Sequence, residues 1–427
     1  MSLGLILLLA GLMYVSTLIP QEIDSAPGEI ETWRLVHQEL LWLVDSLSLH
    51  RLYAQPWFAA VILFAALALG ISTWDQLAQA RKKLKSTATG GSTEVAMSVS
   101  AEHLRAVAGT CQYRFLQTDS QEQLKFVRNP WGYFGSVLLH FGMTLVIITA
   151  LYVSLTGRQG ALILVEGERN SQQQWHASEH GLLAEPLRLP GSIFLEKVTV
   201  TFNSKNQPAE VSSHISITDD SGRSDPLTAS INRSPRYRGL RIYHASQYGN
   251  AFTVAFTEKD GTTHTEKILV QQPTDLTTAG YSEEFGVTWS PYLFSAKYYA
   301  DAARTSMLSS NPQLTVRALD GKKERARTTL TPGSSGMLGE YRLQLLGVER
   351  WAKLILVDIR GMSAIFTGFA IIMLGGLIHY LTPSRELVAI RQGDQSYRAY
   401  WKAAAFSEFF REERDNLAAA LNREADP

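Results

Sequence analysis

The stretch YFGSVLLHFGMTLVIITALYVSLTG, residues 133–157, is apolar enough to cross a bilayer, yet it carries an imidazole, His140, about a third of the way along. About 20 apolar residues suffice for a helix to traverse the hydrocarbon of a membrane. A polar side chain at that depth is costly and commonly functional. Reading this stretch as a membrane span decides the fold class, and three further apolar blocks fall into line with it.

Those blocks are LGLILLLAGLMYVSTLI (residues 3–19), WFAAVILFAALALGIST (57–73) and MSAIFTGFAIIMLGGLIHYL (362–381). The first lacks a basic leading region and a small-residue cleavage site, so it reads as a retained helix rather than a signal peptide. The first two blocks are short for a hydrocarbon core about 30 Å thick and need an upright path with aromatic anchors such as Trp57 and Trp74. The mean hydropathy of −0.05 conceals this segregation of apolar blocks from polar remainder.

The expected fold is therefore a polytopic α-helical membrane protein with four transmembrane helices and a large β-rich extracytoplasmic domain between the third and the fourth. Its segments are a first span (1–20), an extracytoplasmic loop (21–56), a second span (57–74), a cytoplasmic loop (75–130), a third span (131–155), the β-rich domain (156–360), a fourth span (361–381) and a cytoplasmic tail (382–427). Orientation follows the basic residues. RKKLK (81–85), Lys125 and Arg128 lie in one loop, and Arg385, Arg391, Arg398 and Lys402 in the tail, so both termini are expected inside. The loop at 21–56 is acidic, which fits the opposite side.

Between the third and fourth blocks, alternation of apolar and polar residues marks strands at 191–203, 212–223, 240–261 and 339–361, each bounded by turn chemistry such as Asp219-Asp220-Ser221-Gly222. Many short strands at this spacing favour a sandwich or open barrel. Three other segments have a distinct character. STATGGSTE (86–94) reads as a flexible linker. ETWRLVHQELLWLVDSLSLHRL (31–52) carries a helical apolar stripe at 33, 36, 40, 43, 44 and 47, which suits an interfacial helix or a docking surface. The tail segment 396–421 is similarly amphipathic and reads as lying along the cytoplasmic surface.

Lys and Arg together number 40 and so do Asp and Glu; with no global basic field, nucleic acid is not an expected partner. The single cysteine, Cys111, excludes an internal disulfide framework and any CxxC motif. No GxSxG, HExxH, phosphate-binding loop or GxGxxG is present.

His140 lies seven residues, roughly 10 Å, into the third span from its cytoplasmic start. A neutral imidazole there can ligate a metal, relay protons or hydrogen-bond a neighbouring helix. Gly135, Ser136 and Gly142 keep the stretch small, leaving room for a bulky group to approach. The residues alone leave the ligand and helix-packing readings level. No second histidine stands at comparable depth, His379 being at the cytoplasmic end of the fourth span, so a six-coordinate haem site would need a ligand from another chain. His176 and His180 stand four apart in a polar stretch without helical periodicity, a weak metal pattern. His37, His50, His214, His244 and His264 are scattered.

Four places resemble the ResB-like family, the CcsB half of the System II cytochrome c biogenesis machinery. STLIPQ (16–21) is similar to that family's Thr-x-x-Pro-Gln ending of the first helix. LLHFGMTL (138–145) followed by TGRQGALILVEGE (156–168) resembles its His-x-Gly helix and first strand. INRSPRYRGLRIYHASQYG (231–249) is similar to an Asn-x-Pro-x-x-Tyr-x-Gly-x-x-Ile-Tyr-Gln block, with the Asn–Pro spacing longer by one and His244 where Gln is usual. VDIRGMSAIFTGFAIIMLGGL (357–377) resembles the entry to the last helix without its usual Asp-Pro-Gly.

The resemblance implies a subunit that is non-catalytic alone and works with a CcsA-type partner in a bacterial inner membrane. The pair would move haem b outward and attach it to CxxCH motifs of apocytochrome c as a haem lyase. By the same resemblance His140 would be one axial ligand of the haem iron, the other coming from the partner. The tryptophan-rich haem-handling motif of such partners is not present here; NPWGYFG (129–135) is no match for it. An outside domain free of cysteine cannot form mixed disulfides with the substrate's thiols. A non-catalytic scaffold that stabilises the partner and chaperones apocytochrome c is the alternative, and a membrane-anchored sensor is a third class.

Overall fold

The computed structural model describes residues 2–89, 92–116, 122–170, 174–189, 191–321, 323–393 and 396–423. Among them are eight α-helices: α1 (Ser2–Leu18), α2 (Glu29–Val36), α3 (Leu41–Leu47), α4 (Pro56–Lys85), α5 (Ala101–Thr110), α6 (Gly135–Thr156), α7 (Met362–Leu381) and α8 (Arg411–Asn422). Three helical stretches are long and apolar enough to cross a membrane: Pro56–Lys85, Pro130–Thr156 and Met362–Leu381. The first apolar block forms the shorter α1. The second is less abbreviated than its hydropathy implies, because α4 starts at Pro56 and runs on past Trp74 through RKKLK. Pro suits a first helical turn, and Arg and Lys suit a last one.

The chain divides into two compact units, one of Met1–Leu9, Ala60–Tyr152 and Gly361–Pro427, the other of Ala10–Ala59 and Val153–Arg360.

In the first unit, segments expected to be a loop and a surface tail join in one five-stranded antiparallel sheet. Its order is Thr93–Ser100, Ser396–Ala403, Arg385–Arg391, Gln123–Arg128, Arg114–Leu116. The tail is thus strand over 396–403 and helical only over Ser407–Asn422. The reason is burial. Leu387, Ala389, Ala399 and Trp401 supply one apolar sheet face, which Leu104 and Ala108 of α5 and Leu417 and Leu421 of α8 cover. The apolar face that suggested a membrane-surface helix is spent on this core, at about 1.5–3 kcal/mol for each fully buried large side chain. Of the expected linker 86–94, residues 90 and 91 lie outside the described residues and Thr93 already belongs to a strand.

The second unit carries the β-rich region. Strands Ser192–Phe202, Pro208–Thr218, Leu240–Thr257 and Tyr341–Asp358 occupy the four stretches marked by alternation. The last two, 18 residues each, pair antiparallel and form the spine of a seven-stranded sheet. One half of that sheet packs on a four-stranded sheet through Leu162, Ile193, Leu195, Ile215, Ile242 and Leu354. The other half packs on a five-stranded sheet through Phe252, Phe256, Val270, Phe294, Tyr298 and Val316. Two sandwiches therefore share one pair of long strands, where the strand spacing left a sandwich or an open barrel as the expectation.

The apolar stripe at 31–52 is not one helix. α2 stops at His37, a 3₁₀ turn spans Gln38–Leu40, α3 ends at Ser48 in a left-handed conformation with φ of 51°, and Leu49–Ala54 is 3₁₀ again. Of the stripe, Val44 is buried and Trp33 half-buried, whereas Val36, Leu40, Leu43 and Leu47 are exposed.

Candidate functional site

The third apolar stretch has two differently built faces, both within the first unit. Gly135 and Gly142 lie seven residues apart on α6, as do Gly368 and Gly375 on α7; that spacing keeps each pair on one face. All four are buried. A Cβ added at Gly142 would stand 2.8 Å from the carbonyl oxygen of Gly368, and one at Gly375 would stand 2.9 Å from that of Gly135. The helices cross with backbones in near contact, the usual result of small residues at such an interface. The expected space beside His140 for a bulky group is therefore not the glycine face, because α7 fills it.

Ser136, His140 and Thr144, four residues apart, mark the other face. The Ser136 hydroxyl donates to Gln76 Oε1 at 2.9 Å, and the hydroxyl oxygens of Thr144 and Thr73 lie 2.8 Å apart. His140 thus stands, half-buried, on the face that meets α4, bracketed by two interhelical hydrogen bonds. Its Nδ1 lies 2.9 Å from the carbonyl oxygen of Ser136. A carbonyl can only accept, so Nδ1 carries a proton, and with a single proton on the ring Nε2 is a bare lone pair. Ligating histidines are commonly held by this N–H to carbonyl bond, which fixes the tautomer and raises the basicity of the ligating nitrogen. The arrangement can supply one nitrogen ligand.

A second histidine that could ligate together with His140 is not at hand among the described residues. His379 packs against Gly135, five residues or roughly 7.5 Å along the axis from His140, and its ring makes an edge contact with Tyr380. No group of three or more His, Cys, Asp or Glu suited to a metal occurs among the described residues.

Several of the remaining histidines have local partners. His37 stacks on Trp33 at 4.5 Å, and His264 bonds Glu258 at 3.0 Å and stacks on Trp289. His50 Nδ1 faces the Pro20 carbonyl, and His214 Nδ1 faces the Thr228 hydroxyl. His180 Nδ1 contacts the carbonyl of Gly181. Burial pushes the His176 imidazole below its ordinary value, with the nearby Lys353 ammonium adding to the effect. His244, which departs from the resembled block, is buried with Nδ1 2.7 Å from the Ala245 carbonyl and Nε2 unpartnered; burial lowers its pKa.

Two fully buried lysines escaped the sequence reading. Lys125 extends its ammonium to the Lys83 and Ser86 carbonyls at 2.6 and 2.7 Å and to Glu386 at 3.2 Å. It caps the end of α4, and Tyr133 donates to the same carboxylate. Burial pushes the Lys125 ammonium below its ordinary value. Lys353 donates to the Ser25 carbonyl. No local signal marks them, because in Leu124-Lys125-Phe126 and Ala352-Lys353-Leu354 strand alternation puts each lysine on the face opposite its apolar neighbours.

Residues 1–413 match the model of the ResB-like family. A cytochrome c biogenesis protein CcsB of Synechococcus sp. (strain WH7803) is 24% identical over 417 residues, 92% of this chain and 87% of that protein. Proteins of the same description are 24% identical over 356 residues in Thermosynechococcus vestitus (80% of this chain, 75% of that protein) and 22% identical over 414 residues in Gloeobacter violaceus (92% and 83%). With the match running from the first apolar helix through the β-rich region and into α8, the chain belongs to the ResB-like family.

Proposed function

We propose that this chain is a membrane component of cytochrome c biogenesis, in which His140 ligates a haem b carried as substrate rather than held as a resident cofactor. The observation that carries the reading is the Nδ1 contact with the Ser136 carbonyl, which leaves Nε2 free for iron. The chain supplies one imidazole, and a CcsA-type partner supplies the second ligand. Together they deliver haem across a bacterial inner membrane and join it to the CxxCH thiols of apocytochrome c. The chain on its own is non-catalytic.

The membrane arrangement that goes with this has four spans, α1 included, both termini inside, and residues 156–360 outside. The exposed Arg81, Lys82, Lys83 and Lys85 at the end of α4 favour that side as the cytoplasmic one.

The test is a visible spectrum of the complex copurified with its partner. Haem absorbance is expected in the parent, lost or labile in His140→Ala, and partly restored by added imidazole. Unchanged haem content in that variant would sink the ligand claim. The hydrogen bonds that bracket His140, Ser136 to Gln76 and Thr144 to Thr73, favour a second reading in which the histidine only packs helices in a scaffold. Normal cytochrome maturation in His140→Ala, with loss only on deleting residues 156–360, would favour it.

A further inference from the structure

At the basic end of α4 the first unit encloses a crevice of about 60 Å³, lined among others by Gln76, Gln79, Lys83, Tyr133, Ser136 and His379. Ser136 precedes His140 by one turn of α6, and Gly132, also in the lining, lies in the 3₁₀ segment Pro130–Phe134 that leads into α6. The crevice therefore extends from roughly 6 to 12 Å away from His140 along the axis of α6, towards the end where Lys83 stands.

The donors in it are of two kinds, committed and uncommitted. Tyr133 is engaged by Glu386 and the Ser136 hydroxyl by Gln76. The side chains of Gln79, Lys83 and His379 reach no acceptor among the described residues, and no carboxylate lines the space. Arg81, Lys82 and Lys85 add positive charge on the adjoining turns. An ammonium, an amide and an imidazole that line one crevice without an acceptor suit an oxyanion, and a charge-assisted bond to it is about twice as strong as a neutral one.

We propose that this crevice is an oxyanion subsite that seats the propionate carboxylates of the haem whose iron faces His140, with Lys83 as its principal charge. The proposal rests on the haem reading above. The propionates would point towards the Lys83 end and the iron would lie one to two turns deeper, which fixes the orientation in which the cargo enters. The same donors would also hold the phosphate of an anionic lipid headgroup, so the test separates the two sources.

The full chain in detergent is titrated with haemin and with haemin dimethyl ester, whose carboxylates are blocked. The parent is expected to prefer the diacid by about tenfold. Lys83→Gln should reduce that preference to about threefold or less while leaving ester binding unchanged, and His379→Phe should lower it further. Lys83 is exposed and its structural contact to Lys125 uses the backbone carbonyl, so the variant is expected to fold.

Equal binding of diacid and ester by the parent, or a preference that Lys83→Gln leaves intact, overturns the subsite. Equal binding together with a shift of diacid affinity when phosphatidylglycerol replaces phosphatidylcholine in the micelles assigns the crevice to a lipid headgroup and also overturns it. His140→Ala reports on the other reading: it should weaken both ligands alike. If it weakens neither, the axial-ligand reading falls. If it weakens both but Lys83→Gln does nothing, only the subsite falls. If neither ligand binds the full chain, the subsite falls, and the axial-ligand reading is decided by the spectrum of the copurified complex.

Discussion

Lys353 lies fully buried on the strand Tyr341–Asp358, with its ammonium on the Ser25 carbonyl and the carboxylates of Asp24 and Glu29 nearby. Burial lowers its pKa to about 8, against the partial opposition of those two acids. A free lysine titrates near 10.4. Between those values the unfolded chain binds the proton that the folded chain has released, so stability rises with pH across that window. Below pH 8 both states are protonated and the penalty of burying the charge is complete. Lys353→Met should flatten this rise, because a thioether of similar length carries no proton. The check is the difference between parent and variant in thermal unfolding from pH 7.5 to 10.5; parallel curves would refute it. Neither Lys353 nor Lys125 was legible, because strand alternation assigns a lysine to the solvent face and only the partner segments reveal it as an internal cap. His140 was legible, since any imidazole in an apolar run stands out. Its tautomer was not, because that depends on the bond to Ser136 in the folded helix.

At the scale of elements, three apolar helices were visible as uninterrupted apolar runs, and the long strands through the two-residue period of the face each buries. The use of the glycines was less visible. In sequence they left space beside His140; in the fold they admit α7 on the face opposite the polar seam. This makes a prediction about α6 and α7 as a pair. Gly142→Leu would push into Gly368 and Ile372 and should destabilise the helix pair by about 1–3 kcal/mol, the usual cost of overpacking. Gly376→Leu, on the same helix as Gly368 with nothing within 4 Å of its added Cβ, should cost far less. Thermal unfolding in detergent distinguishes them; equal losses would mean that glycine flexibility, not the crossing, sets the stability. The broken helix at residues 29–54 was missed for a related reason. The apolar stripe spoke for continuity, but the His37 and Ser48 backbones leave the helical region, and periodicity contains no signal for such breaks.

Over the whole molecule, what stayed hidden was pairing across long separations. Thr93 stands opposite Trp401 and Arg128 opposite Arg385, so the five-stranded sheet closes only when the segment after α7 returns to the one before α6. Each strand of it is short, and the central one, Arg385–Arg391, makes sense only with both neighbours in place. A chain ending at Thr382 should therefore lose the sheet itself, exposing Phe126 and Leu104 and leaving Lys125 without Glu386. A chain ending at Ala405 keeps both strands but loses Leu417 and Leu421, at about 1.5–3 kcal/mol each. A chain ending at Asn422 keeps the core whole. Cys111, the single cysteine, is half-buried against this core and burial raises its pKa, so it reports on the sheet without added probes. Maleimide labelling should be slow in the full chain and in the chain ending at Asn422, faster at Ala405, and fastest at Thr382. If all four label at one rate, the segment after α7 is an independent appendage and the sheet does not form. The order of rates tests the topology because, among the described residues, the truncated region meets the first half of the chain mainly through that pairing and the α8 contacts it supports.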